Sequence, residues 1–590
     1  MKKFLDKSKK SKKVIGWAIF LLINFIIILT ALLVKASQQK WSSTAWVNAF
    51  NFVVKDIYLN NFLGQPALVL GFLVFFGYII IGRGLRESFI GTLKTIIGYL
   101  LLGIGSGTLV GMAKPIFDNI RSLGAGDIVP LDPYFALANA DSFLKGGLLS
   151  AIAFTMIVGF IINIILVALK KWTNINTLMV TGHIMLQQSA VVTTIFYVLL
   201  FRGYDWDALG VQIPLIIMSG IFVGTYWAVG SSSTLKITNE VTENANFAIG
   251  HQQMFGIATS YKLGKFFGKK EDSAENRKLP KYLKIFEDNI FTQTLIILVL
   301  FTILFAVLMI SKPGIVNDKF NAFQAIKDEK GKVIFGGGLD VWNGTFRNAN
   351  IIFLIIGGSL RIVAALLALI TGVRMFITEL QQSFQGISEK IIPDSVVAVD
   401  VAAVYGFSIN SVTYGFLSGV IGQFLGVFLI IGLSAIPGQN FVLITIPLFI
   451  TLFFNSGSLG VYANASGGWK ASLLVPGIIG FLEIVVISIA LNAIASQGNN
   501  YFIKEEFEKE NIVTLNPVKD GYIGMSDWTL FFGLFLLFSA WNIYLGWIMV
   551  VLLIIGLILL AQIIDTGIQT KATFLQRLLK IKPQLIKLDK

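Results

Sequence analysis

The chain has 590 residues, 55% of them apolar and only 14% charged, whereas an ordinary globular domain carries about 25% charge. That composition excludes a string of soluble domains and predicts an all-α polytopic membrane protein. The 47 basic residues against 33 acidic ones leave a net charge of +14, but the excess is confined to short flanks of apolar segments, which excludes a nucleic-acid binder with its basic face.

Residues 1 to 13 hold seven Lys and one Asp, and behind them runs the 21-residue apolar stretch Val14 to Val34. That is long enough for a bilayer core of about 30 Å. A signal peptide would have a shorter apolar core and a small-residue cleavage site, so the stretch predicts an uncleaved helix with its N-terminus inside, residues 1 to 40 forming a basic tail and an extra span. Eleven more spans are predicted at 64 to 82, 90 to 113, 147 to 170, 176 to 201, 211 to 230, 289 to 311, 350 to 377, 398 to 435, 441 to 455, 471 to 494 and 528 to 563. Twelve crossings return the C-terminus to the side of the N-terminus, and residues 571 to 590 are again basic, with six Lys or Arg and one Asp. The turns after the second and fourth spans carry Arg83 with Arg86 and Lys170 with Lys171. The loop at 262 to 284, after the sixth, carries eight basic and three acidic residues. This asymmetry predicts a multi-pass cell-membrane protein with both termini cytoplasmic and the loops at 114 to 146, 312 to 349 and 496 to 527 outside. Trp41, Trp46, Trp172, Trp206, Trp469 and Trp528 fall near predicted span ends, as interfacial aromatics do.

Two predicted spans are irregular. The stretch 398 to 435 is too long and is interrupted by Asp400, Ser408, Asn410 and Ser411, while 441 to 455 is short and leads into FNSGSLGVYANASGGWK. Polar, non-helical backbone is tolerated at membrane depth only under protein or beside a water-filled cavity. The breaks therefore predict re-entrant hairpins or broken helices near a binding site.

The most informative polar residues lie in apolar surroundings. In TGHIMLQQ (181 to 188), His183 and Gln187 are four residues apart on one helix face, with Gln188 beside them. Polar groups this deep are costly unless paired, and uncharged donors and acceptors at fixed positions suit a polyhydroxy solute. AIGHQQMFG (248 to 256) repeats the phrase around His251 and Gln252, and these are the chain's two histidines. Asp400, in SVVAVDVAAVYGF, is an isolated carboxylate: a substrate ligand, a proton or cation site, or the partner of a buried base. Glu483 has no polar neighbours in the sequence, and Arg374 with Glu379 predicts a solvated or locally paired role. The chain has no Cys and neither His has a second ligand one turn away, so no metal and no cofactor is expected. No phosphate loop, G-x-S-x-G or H-E-x-x-H occurs, and GIGSG (103 to 107) predicts close helix packing rather than dinucleotide binding.

Seven runs are together distinctive: GTLKTIIGYLLLGIGSG (91 to 107), TGHIMLQQ (181 to 188), FAIGHQQMFG (247 to 256), GKKEDSAENRKLPKYLKIFEDNI (268 to 290), GVRMFITELQQSFQGISEKIIP (372 to 393), VAVDVAAVYGF (397 to 407) and LGVYANASGGWKASL (459 to 473). In order and content the chain resembles the ascorbate-type IIC permease subunits of the bacterial phosphoenolpyruvate-dependent phosphotransferase system. The resemblance implies a homodimer whose protomers have two inverted repeats with re-entrant hairpins, a scaffold, and a moving core that holds a sugar acid. It also implies a soluble IIB partner, charged on a cysteine through IIA and HPr, that phosphorylates the substrate at the cytoplasmic face. Residues 41 to 565 would be the permease domain and 566 to 590 a cytoplasmic tail.

The family's substrate contacts carry over, by motif, to His183, Gln187, Gln188, His251, Gln252 and Asp400. A further contact aligns with Pro133 and Tyr134 of LDPYFALANAD; Tyr134 matches, but Pro133 stands where a hydroxyl is expected and offers no donor. The first span and the enlarged loops at 312 to 349 and 496 to 527 also depart from the pattern. The expected function is permeation of L-ascorbate or a related sugar acid without a catalytic residue in this chain, Asp400 orienting a hydroxyl from the side opposite the His and Gln contacts. The alternative is a proton-coupled secondary transporter of the same fold, with Asp400 as the proton carrier.

Overall fold

In the computed structural model the described residues are 22–38, 40–41, 43–53, 66–123, 128–134, 147–201, 204, 209–278, 288–347, 349–392, 395–438, 441–502, 527–528, 532, 535 and 538–586. Their helices, in chain order, are α1 (Leu22–Gln38), α2 (Ser43–Asn51), α3 (Pro66–Ile81), α4 (Leu85–Ser122), α5 (Gly147–Ala168), α6 (Lys170–Thr173), α7 (Gly182–Leu200), α8 (Leu209–Val241) and α9 (Met254–Gly264). There follow α10 (Asn289–Ser311), α11 (Ile351–Ile391), α12 (Ala402–Tyr405), α13 (Ile409–Ser434), α14 (Ser456–Phe502), α15 (Phe538–Trp541), α16 (Ile543–Ile563) and α17 (Phe574–Leu578). Short strands interrupt them: β1 (Ile128–Leu131), β2 (Thr177–Met179), β3 (Ala248–Ile249), β4 (Ile326–Lys327), β5 (Val333–Phe335), β6 (Val396–Val399) and β7 (Ile444–Pro447). Among the described residues nine helices are long and apolar enough to cross a membrane, with α1 and Leu70–Ile81 as shorter apolar helices. Apolar runs become helices because only internal hydrogen bonds satisfy the backbone where water is absent.

Contacts divide the chain into two compact units, Met1–Leu102 with Thr371–Pro393 and Gly103–Ile370 with Asp394–Lys590. In the first, Cβ atoms at Gly98 and Gly372 would meet backbone atoms of Phe376 and Leu102 at 2.7 and 2.5 Å, so the glycines set how closely the helices approach. Glu379, expected to be solvated or locally paired, is paired, but with residues distant in sequence. It is buried and takes a 2.5 Å hydrogen bond from Tyr78 Oη and a 3.1 Å contact from Lys94, while Arg374 is exposed.

The second unit holds the three sequence phrases with His183, His251 and Asp400. Its predicted break in 398 to 435 is present, between the end of α12 at Tyr405 and the start of α13 at Ile409. The predicted 441 to 455 span is instead β7 followed by a π-helical turn, Ile450–Asn455, that runs into α14. The Gly/Ser/Asn phrase expected to be non-helical is helical up to Gly468. Its small residues serve packing: a Cβ at Gly415 of α13 would meet Ser456 O at 2.6 Å, and one at Gly460 would meet Ser411 O at 2.6 Å. Glu483, without polar neighbours in sequence, accepts from Asn455 Nδ2 on both of its oxygens, at 3.0 and 2.8 Å.

Side chains hold the described loop at 312–347 and the described C-terminal segment of this unit in place. Within 312–347 lie a β4–β5 hairpin and a 3₁₀ turn that seats Trp342 against Phe301 and Phe305, with Nε1 donating to Met112 O at 2.9 Å. The enlarged loop expected at 496–527 begins as helix to Phe502, and 503–526 lies outside the described residues. The C-terminal segment packs on the basic turn at α6: Gln562 Nε2 donates to Thr173 O at 2.7 Å, and Phe574 meets Trp172 at 4.6 Å. Of the expected interfacial tryptophans, Trp41, Trp46 and Trp172 are exposed, Trp528 is buried and Trp206 lies outside the described residues.

Gly468 breaks α14 at φ 68°, ψ −165°, and a Cβ there would collide with Lys269 O and Asp272 O. The adjacent Trp469 donates from its backbone N to Asp272 O at 2.9 Å and from Nε1 to Asp272 Oδ2 at 2.9 Å. The hydrogen bond from Arg277, aided by Trp469, holds the Asp272 carboxyl below the usual carboxylate range. Gly468→Ala combines a positive φ with two carbonyl clashes, so it should lower stability by about 1–3 kcal/mol. Thermal unfolding of purified protein measures this, and an unchanged midpoint would show that the kink is not needed.

Candidate functional site

Strand β6 lies between β2 and β3 in a parallel three-stranded sheet. The register pairs Thr177, Leu178 and Met179 with Val396, Val397 and Ala398, and Ala248 and Ile249 with Ala398 and Val399. Since the strands are parallel, their carboxyl ends point the same way, and each is followed at once by one of the polar phrases. Backbone pairing continues past the strands, with Val180 N donating to Ala398 O at 3.0 Å and Gly250 N to Val399 O at 2.8 Å. Gly250 is required by this approach, because a Cβ would meet Thr181 Oγ1 at 2.5 Å and Met179 Cγ at 2.8 Å.

The result is a group of side chains from three distant parts of the chain. His183 Nε2 lies 2.9 Å from Asp400 Oδ2, and Ala402 N donates to Asp400 Oδ1 at 3.1 Å. Gln252 Nε2 donates to Gln187 Oε1 at 2.7 Å, and Gln188 Nε2 donates to His251 O at 2.9 Å. Trp227 Nε1 donates to Gln188 Oε1, fixing that amide. His183 and Asp400 keep side-chain exposures of 16% and 30%, whereas His251 and Gln252 are buried. Two buried atoms here lack partners, His251 Nδ1 and Gln252 Oε1. Leaving such groups unsatisfied costs about 1–3 kcal/mol each, so they mark where a hydroxylated ligand would gain most.

The expectation that Asp400 works from the opposite side of the ligand is corrected by this geometry. Asp400 pairs with His183 because β2 and β6 are adjacent strands. The third glutamine, Gln253, leaves the group altogether: its Nε2 donates to Asn455 O at 2.8 Å and Ser458 Oγ at 2.9 Å. Pro133 and Tyr134 are buried at the end of a different parallel pair, β1 with β7. There Asp132 Oδ1 accepts from Tyr134 N at 2.8 Å and Asp132 Oδ2 from Ile450 N at 3.4 Å. Strand pairing thus gathers six of the eight predicted site residues and places these two in a second turn.

Trp227, Asp132 and Asp527 were missed by sequence reasoning. Asp527, fully buried, caps α9: Phe255 N and Gly256 N donate to it at 2.8 and 2.7 Å, and Tyr226 Oη at 2.5 Å. Helix α9 has no side-chain cap of its own, so this distant carboxylate anchors the helix that begins just after His251. The only signal was an acidic residue immediately before a predicted span. Among the described residues no three His, Asp or Glu side chains gather as a metal-binding set.

Residues 61–506 match the family described as "PTS system sugar-specific permease component". The "Ascorbate-specific PTS system EIIC component" of Mycoplasma pneumoniae is 51% identical to the chain, over 98% of this chain and 98% of that protein.

Asp527→Asn places an amide N–H against backbone donors, so it should destabilise the protein by about 1–3 kcal/mol. The comparison of thermal midpoints with wild type checks this, and equal midpoints would rule out the anchoring role.

Proposed function

The chain belongs to the sugar-specific permease (EIIC) family of the phosphotransferase system, and we propose that it carries L-ascorbate or a related sugar acid inward for phosphorylation by a separate IIB protein. The observation that carries the substrate site is the convergence of three strand ends on two buried, unpartnered polar atoms, His251 Nδ1 and Gln252 Oε1. Around them Gln187, Gln188 and His183 supply donors and acceptors without an isolated charge. Asp400 is the one carboxylate in the group, and its contacts with His183 and Ala402 N offset the repulsion an anionic substrate would otherwise meet. Pro133 and Tyr134 line the second strand-end turn and are proposed as outer contacts. The 51% identity to an ascorbate-specific component supports ascorbate as the first substrate to test.

The phosphoryl group comes from the partner. This chain has no cysteine to form a phosphocysteine, so its residues bind and orient the substrate while IIB, recharged through IIA and HPr, supplies the phosphate. A cytoplasmic C-terminus is supported by the packing of residues 562–574 against the basic turn at Lys170 and Lys171, which puts two basic stretches on one side. The N-terminus on the same side, a homodimer and two inverted repeats complete the reading. Lys269 is exposed, and Lys270 makes a long surface pair with Glu240 at 3.5 Å, so both remain available to an acidic partner.

Two outcomes are expected. Asp400→Asn should weaken ascorbate binding by about tenfold, the scale of one charged hydrogen bond; isothermal titration checks it, and unchanged affinity removes Asp400 from the site. In membrane vesicles supplied with phosphorylated IIB, uptake should deliver phosphorylated ascorbate, and Lys269→Glu with Lys270→Glu should slow phosphorylation without altering binding. Delivery of unmodified substrate driven by a proton gradient would favour the secondary-transporter reading instead.

A further inference from the structure

The loop after α9 reaches across to the start of α13. Glu275 Oε1 accepts from Ser411 N at 2.9 Å, Ser411 Oγ at 2.7 Å and Ser408 Oγ at 3.3 Å, and Oε2 accepts from Asn410 N at 3.1 Å. Asn410 Nδ2 donates back to Ala274 O at 3.1 Å and Arg277 O at 2.7 Å. Helix α13 needs this help: Ser408 at its N-cap makes no side-chain cap bond of its own, and the first N–H groups of any helix lack internal partners. A carboxylate at that end also complements the helix dipole.

Glu275 itself is exposed, but the turn that carries it is anchored by its neighbours. Ala274 is fully buried and donates from N to Asn464 Oδ1 at 2.8 Å, and Asn464 Nδ2 donates to Ser273 Oγ at 3.0 Å. Upstream of the capped turn lies the segment that carries Asp400. That segment is fixed at one end by β6 pairing with β2 and β3, and midway by Tyr405 Oη, which donates to Phe454 O at 2.9 Å. Its other end, at Ser408 to Ser411, is fixed by Glu275.

We infer that Glu275 is a positioning residue for the substrate site: by capping α13 it holds the Asp400 segment in place against His183 without touching substrate. The chain thereby forms a closed strap, from His251 through α9 and the loop to Glu275, then across to α13 and back to Asp400. This role rests on reading His183, His251 and Asp400 as substrate contacts, so the test includes one measurement that needs no ligand.

The experiment uses the full chain in lipid nanodiscs, as wild type, Glu275→Ala and Glu275→Gln. Ascorbate affinity is measured by titration, and hydrogen exchange is followed in peptides covering 399–407 and 177–188. Glu275→Ala should weaken ascorbate binding by about tenfold, the scale of a lost helix cap, and speed exchange in 399–407 while leaving 177–188 unchanged. Glu275→Gln, which keeps acceptor oxygen without charge, should fall between. A lowered thermal midpoint with wild-type affinity and wild-type exchange in 399–407 would overturn the role and leave a merely structural cap. If Glu275→Ala cannot be purified, Ser411→Ala removes one donor and is judged by the same two readouts. If wild type binds no ascorbate, the substrate reading fails, and exchange in 399–407 alone decides: faster in Glu275→Ala supports positioning, unchanged refutes it.

Discussion

Backbone groups in an apolar interior must find partners within the protein, and strand β6 is where that constraint organises the second unit. Residues 396–399 leave the helical pattern, and their N–H and C=O groups are satisfied by β2 on one side and β3 on the other. Each flanking strand is itself a helix interruption with the same need. Mutual pairing resolves three breaks at once and forces three remote phrases to end side by side. Ligands of open parallel sheets lie beyond the carboxyl ends of the strands for the same geometric reason, since that is where backbone pairing stops and side chains converge.

The polar side chains then follow a rule of mutual satisfaction. His183 meets Asp400, Gln252 meets Gln187, and Gln188 is held between Trp227 and the backbone of His251. A half-satisfied buried network is costly, so the two atoms left over, His251 Nδ1 and Gln252 Oε1, are informative. Further out, carboxylates from distant segments cap the helices that frame the site, Asp527 on α9 and Glu275 on α13. Helix α9 starts at a break inside the protein and cannot rely on water for its first N–H groups, whereas α13 starts nearer the surface, with Ile409 exposed.

The membrane character, the positions of most long apolar helices and the two His phrases were legible in the sequence, because apolar runs of span length are rare outside membranes and polar residues within them are costly. Asp400 stood out on the same grounds. Its pairing with His183 did not, since strands of two to four residues carry no usable periodicity and the β2–β6 register joins residues more than 200 positions apart. The Gly/Ser/Asn phrase after 455 misled in an instructive way. Glycine and serine punctuate helices in water, but between α13 and α14 they are what lets two helices touch, so the phrase is helical. Glu483 likewise met Asn455 through folding and not through its neighbours in sequence.

If the carboxyl ends of β2, β3 and β6 form the substrate site, a cryo-electron microscopy map of the protein in nanodiscs with ascorbate added tests that claim most directly. Ligand density is predicted within hydrogen-bond reach of His251 and Gln252 and beside the His183–Asp400 pair. Ordered ligand density elsewhere, with those side chains unchanged and uncontacted, would contradict it.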